Sequence, residues 1–255
     1  LEDIPLTRAY REPLPDVRFS VGHFADYPQS PYGQPRSPGG MDGDEVFRML
    51  ATSTSDVATV QRAVDRLELQ SGGDGPECAT EALYLTATGA AIPSLVPASS
   101  CPTGTVGHPC FAREGSRVIL LITDAATHNG PGGANGYGPD LMFEDHTYDQ
   151  AMSELRGIGA KVLGLYSGSG FDEGRADLQA IARDTGAVRP DGEPIIFDIG
   201  SSGGSLGPDV VEAVRTLVEE VPIDVDALVE DFPGDAFDAT DFVVGIDALR
   251  ADPAD

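Results

Sequence analysis

The sequence predicts an α/β protein with a doubly wound, mostly parallel sheet and helices on both faces. Three observations lead to this prediction. Short apolar runs alternate along the chain with segments of helical periodicity. The run 117–123 is apolar almost throughout, which is typical of a fully buried parallel strand. At 255 residues, the chain is long enough to bury one core of this kind.

The individual elements follow from local patterns. Each predicted strand is a short apolar segment bounded by turn-forming residues, and each predicted helix repeats its apolar residues at helical spacing, as Val57, Val60 and Val64 do. Asp56 is placed to cap the first of these helices. Strands are predicted at 16–25, 45–54, 117–123, 161–166 and 194–197, helices at 57–69, 77–89, 148–158, 175–185 and 208–221, and loops at 26–43, 90–116 and 130–140.

The charge excludes several classes of partner. The chain has 42 acidic and 16 basic residues, for a net charge of −26. Nucleic acid is excluded as a partner because so few cationic groups cannot neutralise its phosphates, and an anionic membrane surface is disfavoured for the same reason. No apolar run approaches the roughly 20 residues of a membrane span. The acidity is consistent with cation binding.

The composition changes at about Pro222. Beyond that residue, ten acidic residues face a single Arg250, and apolar residues are scattered among them. We therefore predict one domain over 1–221 and, over 222–255, an acidic linker or the start of a following module. A solvated acidic tail explains the same composition equally well.

Cys101 and Cys110 flank a short loop rich in proline and glycine. A disulfide across this loop is the favoured interpretation, and it would suit an exported protein at the cell surface or outside the cell. Two free thiols, or a zinc pair completed by His108, are the alternatives.

Two loops carry oxygen ligands suited to a metal. Asp124 ends the apolar run 117–123, and the glycine turn 72–77 delivers Asp74 and Glu77 just before a helix. Ligands bind at the carboxyl ends of parallel strands, and carboxylate oxygens suit Mg²⁺, Mn²⁺ or Ca²⁺.

Structural roles are the alternatives at these positions. Asp124 can cap a helix, and Asp74 and Glu77 can serve as a turn former and a charge at a helix N-terminus. Thr123 and Thr127 are predicted to support the site through hydrogen bonds. His128 is interpreted as a loop or packing residue because hard cations prefer oxygen.

The chain resembles the von Willebrand factor A domain, and within that family the bacterial relatives of the integrin β-subunit I-like domain. The resemblance covers about 14–221. The matching stretches lie in family order, and they are 17–26, 73–77 followed by Ala82-Leu83, 120–128 and 159–164.

The resemblance implies a metal-ion-dependent adhesion site that binds Mg²⁺ or Mn²⁺ and is completed by a carboxylate of a protein ligand. Glu77 and Asp124 match metal-site acids of the family. Asp74 and the carbonyl of Pro76 match an auxiliary Ca²⁺ site, whose asparagine is replaced here by Gly72. Asp26 lies in a matching stretch, but no metal role is carried over to it.

The chain departs from the family at the first metal loop. The expected Asp-x-Ser-x-Ser motif, which follows a buried central strand, is not found near the N-terminus. The resemblance therefore implies that the first central strand and its ligands are missing. The predicted strands 16–25 and 117–123 would then each lose one neighbour, which would expose unpaired backbone groups. Asp198 with Ser201 and Ser202 is a weak substitute within the chain, which would require a permuted order.

Together these features predict a non-catalytic protein-binding or adhesion module that acts through a divalent cation. A metal-dependent phosphoester or ester hydrolase is the rival, and it would need a nucleophile or paired acids positioned around the metal. A structural spacer with a vestigial metal site is the third interpretation.

Overall fold

A computed structural model of the chain describes residues 17–35, 43–68, 70, 72–168, 172–200, 211, 212, 215 and 216. The chain divides into two compact units, Leu1–Val221 and Pro222–Asp255, and every described residue belongs to the first. The acidic region 222–255 and most of the helix predicted over 208–221 therefore lie outside the described residues.

The described residues form a mixed α/β structure that contains a three-stranded parallel sheet and four helices. The strands and helices, in chain order, are β1 (Phe19–His23), β2 (Arg48–Thr54), α1 (Val57–Val64), α2 (Ala79–Thr88), β3 (Thr105–Val106), β4 (Phe111–Ala112), β5 (Arg117–Thr123), α3 (Tyr148–Gly157), β6 (Ala160–Tyr166), α4 (Asp172–Asp184) and β7 (Ile196–Asp198). A short 3₁₀ turn, Pro131–Gly133, lies between β5 and α3.

The parallel sheet has the strand order β5-β6-β7. Helix α3 connects β5 to β6, and α4 connects β6 to β7, so each parallel pair is joined by a helical crossover. Strand β6 is central, and all of its residues except Lys161 are buried. Met152 and Leu155 of α3 and Leu178 of α4 pack into the same core as Val162 of β6.

The strand β5 was expected to be fully buried, and that prediction is wrong. Strand β5 pairs with β6 along one edge only, and within the described residues its other edge has no strand beside it. Ile122 is consequently 45% exposed, and Leu121 is the one fully buried residue of the strand. An apolar run indicates that a strand packs against a core, but it does not indicate how many strands pair with it.

The strands β1 and β2 form a separate antiparallel pair, with Phe19 opposite Thr54 and His23 opposite Arg48. Helix α1 follows β2 and is capped by Asp56, whose Oδ1 accepts a hydrogen bond from the Ala58 amide at 3.0 Å. The helix ends at Val64, five residues earlier than predicted.

The loop predicted over 90–116 contains a feature that the sequence analysis missed, the short β3–β4 hairpin. Cys101 and Cys110 are joined by the predicted disulfide beside this hairpin, with their Cα atoms 5.3 Å apart. The zinc alternative is therefore wrong. The His108 ring instead contacts the Ala90 carbonyl through Nε2 at 2.8 Å.

The permuted alternative for the metal loop used Asp198, Ser201 and Ser202. The Asp198 carboxylate forms a bidentate ion pair with Arg175, at 3.0 and 3.1 Å. Ser201 and Ser202 lie outside the described residues.

Of the helices that the structure describes, none combines the length and apolarity that crossing a membrane demands.

Candidate metal centre

Three side chains from distant parts of the sequence converge beyond the ends of β1 and β5. Asp26 follows β1, Asp74 lies in the turn before α2, and His128 follows β5. Each offers one ligand atom, and these atoms all lie within 4.8 Å of one another. The Nε2 atom of His128 lies 3.3 Å from Oδ2 of Asp26 and 3.3 Å from Oδ1 of Asp74.

Backbone hydrogen bonds set the positions of these three residues. The Cys78 amide donates to the Ala25 carbonyl at 2.8 Å, and the Glu77 amide donates to the Ala126 carbonyl at 2.8 Å. The His128 amide in turn donates to the Glu77 carbonyl at 2.8 Å. The segment 77–78 therefore lies between the end of β1 and the chain that leaves β5, and it ties both to the start of α2.

The turn that carries Asp74 is held by the loop after β1. The amides of Gly73 and Asp74 both donate to the Tyr32 carbonyl, at 2.6 and 3.2 Å. A Cβ atom on Gly73 would lie 2.3 Å from the Pro31 carbonyl oxygen, which is far closer than van der Waals contact allows. Only glycine therefore fits between the turn and this loop.

Asp26 is completely buried, and its two carboxylate oxygens differ. The Oδ1 atom accepts hydrogen bonds from the Tyr27 amide and the Tyr137 hydroxyl, each at 2.6 Å. The Oδ2 atom receives no hydrogen bond of acceptable geometry, although His128 Nε2 lies within ion-pair distance. A buried carboxylate oxygen without a donor is costly, so Oδ2 requires a cationic partner.

The imidazole of His128 is oriented by the loop that follows it. Its Nδ1 atom lies 2.7 Å from the Asn135 carbonyl, and because a carbonyl can only accept, Nδ1 carries a proton. In the neutral ring, the lone pair is then on Nε2, facing Asp26 and Asp74. This arrangement is that of a metal-ligating histidine, whose other nitrogen is fixed by a carbonyl.

Without another cation, the ring itself must supply the positive charge. Burial alone would lower the pKa of His128, but the contacts with Asp26, the Asn135 carbonyl and Asp74 outweigh it and raise the pKa to about 9. The Tyr137 ring stacks on the imidazole with a centroid separation of 4.1 Å. An imidazolium in this position is favoured by the π face of the tyrosine.

Glu77 adds a further carboxylate beside these three residues. Burial, followed by repulsion from Asp26, Asp44, Asp124 and Asp74, raises its pKa to about 8. Its Oε2 atom is buried and has no hydrogen-bond partner. Five acidic side chains thus act on one region that contains a single imidazole, and a divalent cation is the kind of group that would offset this excess of negative charge.

The structure brings two of the predicted metal ligands, Asp74 and Glu77, to the cluster and leaves Asp124 outside the group of three. It places Asp74 in direct contact with His128, and it places Glu77 among the acids around them. Asp124 is exposed and does not belong to the group of three, although its charge contributes to the raised pKa of Glu77. Pro76 is half-buried in the turn between Asp74 and Glu77.

The two predicted supporting threonines hold the chain after β5. The Thr123 hydroxyl accepts a hydrogen bond from the Ala125 amide at 3.2 Å. The Thr127 hydroxyl accepts one from the Thr80 amide in α2 at 2.9 Å, and the Thr127 amide donates to Oδ2 of Asp177 in α4 at 2.9 Å. Thr127 therefore fixes the preceding turn and His128 against two helices.

The loop 129–146, which carries Asn135 and Tyr137, is held at its C-terminal end by contacts of His146 with α2. The buried carboxylate of Glu81 accepts hydrogen bonds from the His146 amide at 2.9 Å and from its Nδ1 atom at 3.0 Å. The His146 ring stacks on Tyr84 with centroids 3.5 Å apart. These contacts keep the loop over the cluster.

Asp26 and His128 are the two candidate ligands that sequence reasoning missed. Asp26 could have been predicted from the sequence, because it directly follows a predicted strand, as Asp124 does. His128 was set aside because of the preference of hard cations for oxygen, a rule that does not apply to transition metals.

No protein-family model and no curated protein sequence matches the chain.

Proposed function

We propose that this chain is a non-catalytic protein-binding module that holds a divalent cation between Asp26, Asp74 and His128. The observation that supports it best is the buried Oδ2 atom of Asp26. This atom has no hydrogen-bond donor, and it faces a histidine nitrogen that the Asn135 carbonyl leaves ready for coordination. A cation there would satisfy both groups and balance the surrounding carboxylates.

The donor set favours Mn²⁺ over the other cations considered. Two carboxylates and an imidazole combine hard oxygen ligands with a nitrogen ligand, which Mn²⁺ accepts more readily than Mg²⁺ or Ca²⁺. Zn²⁺ binds the same ligand types and is the natural competitor in a binding assay. When bound, the cation would supply a positive centre with coordination positions left open.

The charge of the chain explains why such a module needs a cation. A carboxylate on a partner protein would be repelled by Asp124 and by the net charge of −26. A cation reverses this local repulsion, so that an aspartate or glutamate of the partner becomes the preferred contact. We place that contact at the exposed side of the cluster, where Asp124 lies.

The finer features of the fold belong to the same proposal. The parallel β5-β6-β7 sheet with helical crossovers supports a doubly wound arrangement related to the von Willebrand factor A domain. The disulfide indicates an oxidising compartment, which supports a location at the cell surface or outside the cell.

Calorimetric titration with Mn²⁺ tests the cation site. We expect binding to the native chain and at least about tenfold weaker binding to Asp26→Asn, since even the partners of metal ligands contribute about 10- to 100-fold. Asp149→Asn, which changes an exposed aspartate on α3, is the matched control and should bind as the native chain does. Failure of Mn²⁺, Mg²⁺ and Ca²⁺ to bind the native chain would refute the site, and metal-dependent turnover of phosphate or acyl esters would refute the non-catalytic role.

A further inference from the structure

The loop 129–146 contains both asparagines of the chain, and each of them precedes a glycine, in the pairs Asn129-Gly130 and Asn135-Gly136. An asparagine before glycine is open to attack by the main chain, because the glycine nitrogen beside it has no Cβ atom to shield it. Both asparagines have a left-handed backbone, with φ values of 47° and 53°. Sequence and backbone conformation therefore do not distinguish the two pairs, but their surroundings do.

The first pair is held by hydrogen bonds and packing. The Nδ2 atom of Asn129 donates to Oδ2 of Asp145 at 2.6 Å and to the His146 carbonyl at 3.0 Å. Gly130 is buried, and its amide donates to the Ala134 carbonyl at 2.8 Å. The Gly130 nitrogen can therefore reach the side chain of Asn129 only after local opening of the turn.

The second pair is open to solvent. Asn135 and Gly136 are both exposed. Within the part of the chain that the structure describes, neither the Asn135 side chain nor the Gly136 amide makes a hydrogen bond. A Cβ atom built on Gly136 would have its nearest neighbours at 3.8 and 3.9 Å, from Oδ1 of Asn129 and the Gly133 carbonyl. There is room here for the side chain to close on the main chain.

From this contrast, we propose that Asn135 is a site of spontaneous deamidation, and that the isoaspartate formed there loosens the loop over the cluster of Asp26, Asp74 and His128. Asparagine is a thermolabile residue. The Gly136 nitrogen bonds to Cγ of Asn135 and gives up its proton, while the bond from Cγ to Nδ2 breaks and ammonia leaves. Water then opens the resulting succinimide ring. Attack of water at Cγ gives aspartate, and attack at the main-chain carbonyl carbon gives isoaspartate.

Isoaspartate changes the backbone where the loop contacts the cluster. The Asn135 carbonyl accepts a hydrogen bond from Nδ1 of His128 at 2.7 Å. In isoaspartate this carbonyl becomes part of a free carboxylate, and the main chain runs through Cβ and Cγ, one atom longer before Gly136. Tyr137 follows directly, and its ring stacks on His128 while its hydroxyl donates to Oδ1 of Asp26 at 2.6 Å.

The chain on both sides of this point is fixed. The Asn129 amide donates to the Asn135 carbonyl at 3.2 Å, and the Gly138 amide donates to the Tyr32 hydroxyl at 2.7 Å. The additional atom must therefore be absorbed within 135–138, the segment that contains Tyr137. We expect it to displace Tyr137 from its contacts with the cluster.

Ageing of the full chain in mildly alkaline buffer, followed by peptide mass analysis, tests the modification. Deamidation adds about one dalton, and fragmentation assigns the gain to one of the two asparagines. We expect Asn135 to react at least about tenfold faster than Asn129, because reaction at Asn129 first requires local opening. Isoaspartate should be part of the product. Equal rates at the two asparagines, or no reaction at Asn135, would overturn the proposal.

Gly136→Ala tests the route through the succinimide. Alanine fits at this position because φ lies outside the left-handed region and a Cβ atom meets no close neighbour. The Cβ atom shields the nitrogen, so the reaction at Asn135 should slow at least about tenfold. An unchanged rate would contradict attack by the Gly136 nitrogen.

Nuclear magnetic resonance of the cation-free chain tests the consequence for the loop. The Hε1 resonance of His128 should shift in the aged native chain and stay in place in Gly136→Ala aged in the same way. Asn135→Asp carries the charge of the product without the additional atom, so its shift should be smaller. An equal shift in Asn135→Asp, or no shift in the isoaspartate form, would refute the role of the longer backbone.

The effect on the cation rests on the proposed function, whereas the modification does not. Calorimetry should show Mn²⁺ binding to the isoaspartate form at least about tenfold more weakly than to the fresh chain, since partners of metal ligands contribute about 10- to 100-fold. Equal affinities would refute this effect. If the fresh chain binds no Mn²⁺, the proposed function fails, and the mass and resonance measurements still decide the modification and its effect on the loop.

Discussion

The imidazole of His128 joins two loops, with Nε2 3.3 Å from Oδ1 of Asp74 and Nδ1 2.7 Å from the Asn135 carbonyl. The ring therefore links the turn before α2 to the loop after β5. It can do so as an imidazolium, or as a neutral ring that coordinates a cation through Nε2. Proton and cation thus compete for the same lone pair, and several measurable consequences follow.

The affinity for Mn²⁺ should rise with pH. The pKa of His128 is about 9, so below that pH a proton must leave Nε2 before the cation can bind. The raised pKa of Glu77, about 8, acts in the same direction. We expect about a tenfold gain in affinity per pH unit between pH 6 and 8, measured by calorimetry with release of a proton. His128→Gln should reduce this slope, and a slope that the substitution leaves unchanged would assign the competing proton to another group.

The stability of the cation-free chain should fall as pH rises. The folded pKa of His128 is raised from 6.5 to about 9, so its stabilisation is complete below pH 6.5 and is lost as pH rises through 9. The folded pKa of Glu77 is raised from 4.5 to about 8, so its contribution is likewise lost between pH 4.5 and 8. Calorimetry should show the Tm decreasing from pH 6 to 9 and Mn²⁺ restoring it most at the higher pH.

The substitution Glu77→Gln separates the contribution of Glu77 to the pH dependence of Tm from that of His128. The variant removes the carboxylate that must ionise in a buried acidic environment, so the decrease in Tm between pH 6 and 9 should become shallower. Glu193→Gln, at an exposed residue, is the matched control and should leave the profile unchanged. A steeper decrease in Glu77→Gln would contradict the assignment.

Tyr137→Phe should weaken cation binding without unfolding the chain. The hydroxyl of Tyr137 is one of two donors to Oδ1 of Asp26, and it directs Oδ2 toward His128. Loss of such a partner reduces metal affinity about 10- to 100-fold. Tyr84→Phe, on a ring that stacks on His146, should change the affinity less than about twofold. An unchanged affinity in Tyr137→Phe would show that Asp26 is oriented by the Tyr27 amide alone.

Removal of the disulfide should affect stability but not the cation site. Replacing Cys101 and Cys110 with serine opens a loop whose ends are separated by nine positions, and chain entropy predicts a loss of about 2–3 kcal/mol in the free energy of unfolding. Urea denaturation measures this loss. Because neither cysteine belongs to the cluster, the affinity for Mn²⁺ should stay the same, and a parallel loss of affinity would contradict the separation of the two regions.

Sequence patterns predicted most elements because those elements are defined locally. The helix over 148–158 and the strand over 161–166 were found within one residue, since capping and apolar periodicity both lie within the element itself. The β3–β4 hairpin was missed because two-residue strands carry no periodicity. Full burial of β5 was wrongly predicted from its apolar run, because the number of neighbours of a strand depends on distant parts of the chain; the resemblance, which implied a missing central strand, had predicted a lost neighbour.

In the candidate site, too, local features could be predicted from the sequence and long-range contacts could not. Asp74 could be predicted from the glycine turn before a helix, which is a local signal. Its proximity to Asp26 and His128 depends on the bonds of Glu77 and Cys78 to residues on both sides, and no spacing in the sequence encodes them. Residue type also misled, because the assumption of a hard cation removed His128 from consideration.

The position of Asp74 depends on a neighbour that has no side chain. Gly73 lies against the Pro31 carbonyl, whereas a Cβ atom on Gly75, two residues further along, would have no other atom within 4 Å. The same short turn therefore contains one position that tolerates no mutation and one that is open to substitution. A designer who wished to re-tune the selectivity of this turn for different ions would diversify position 75 and leave position 73 untouched.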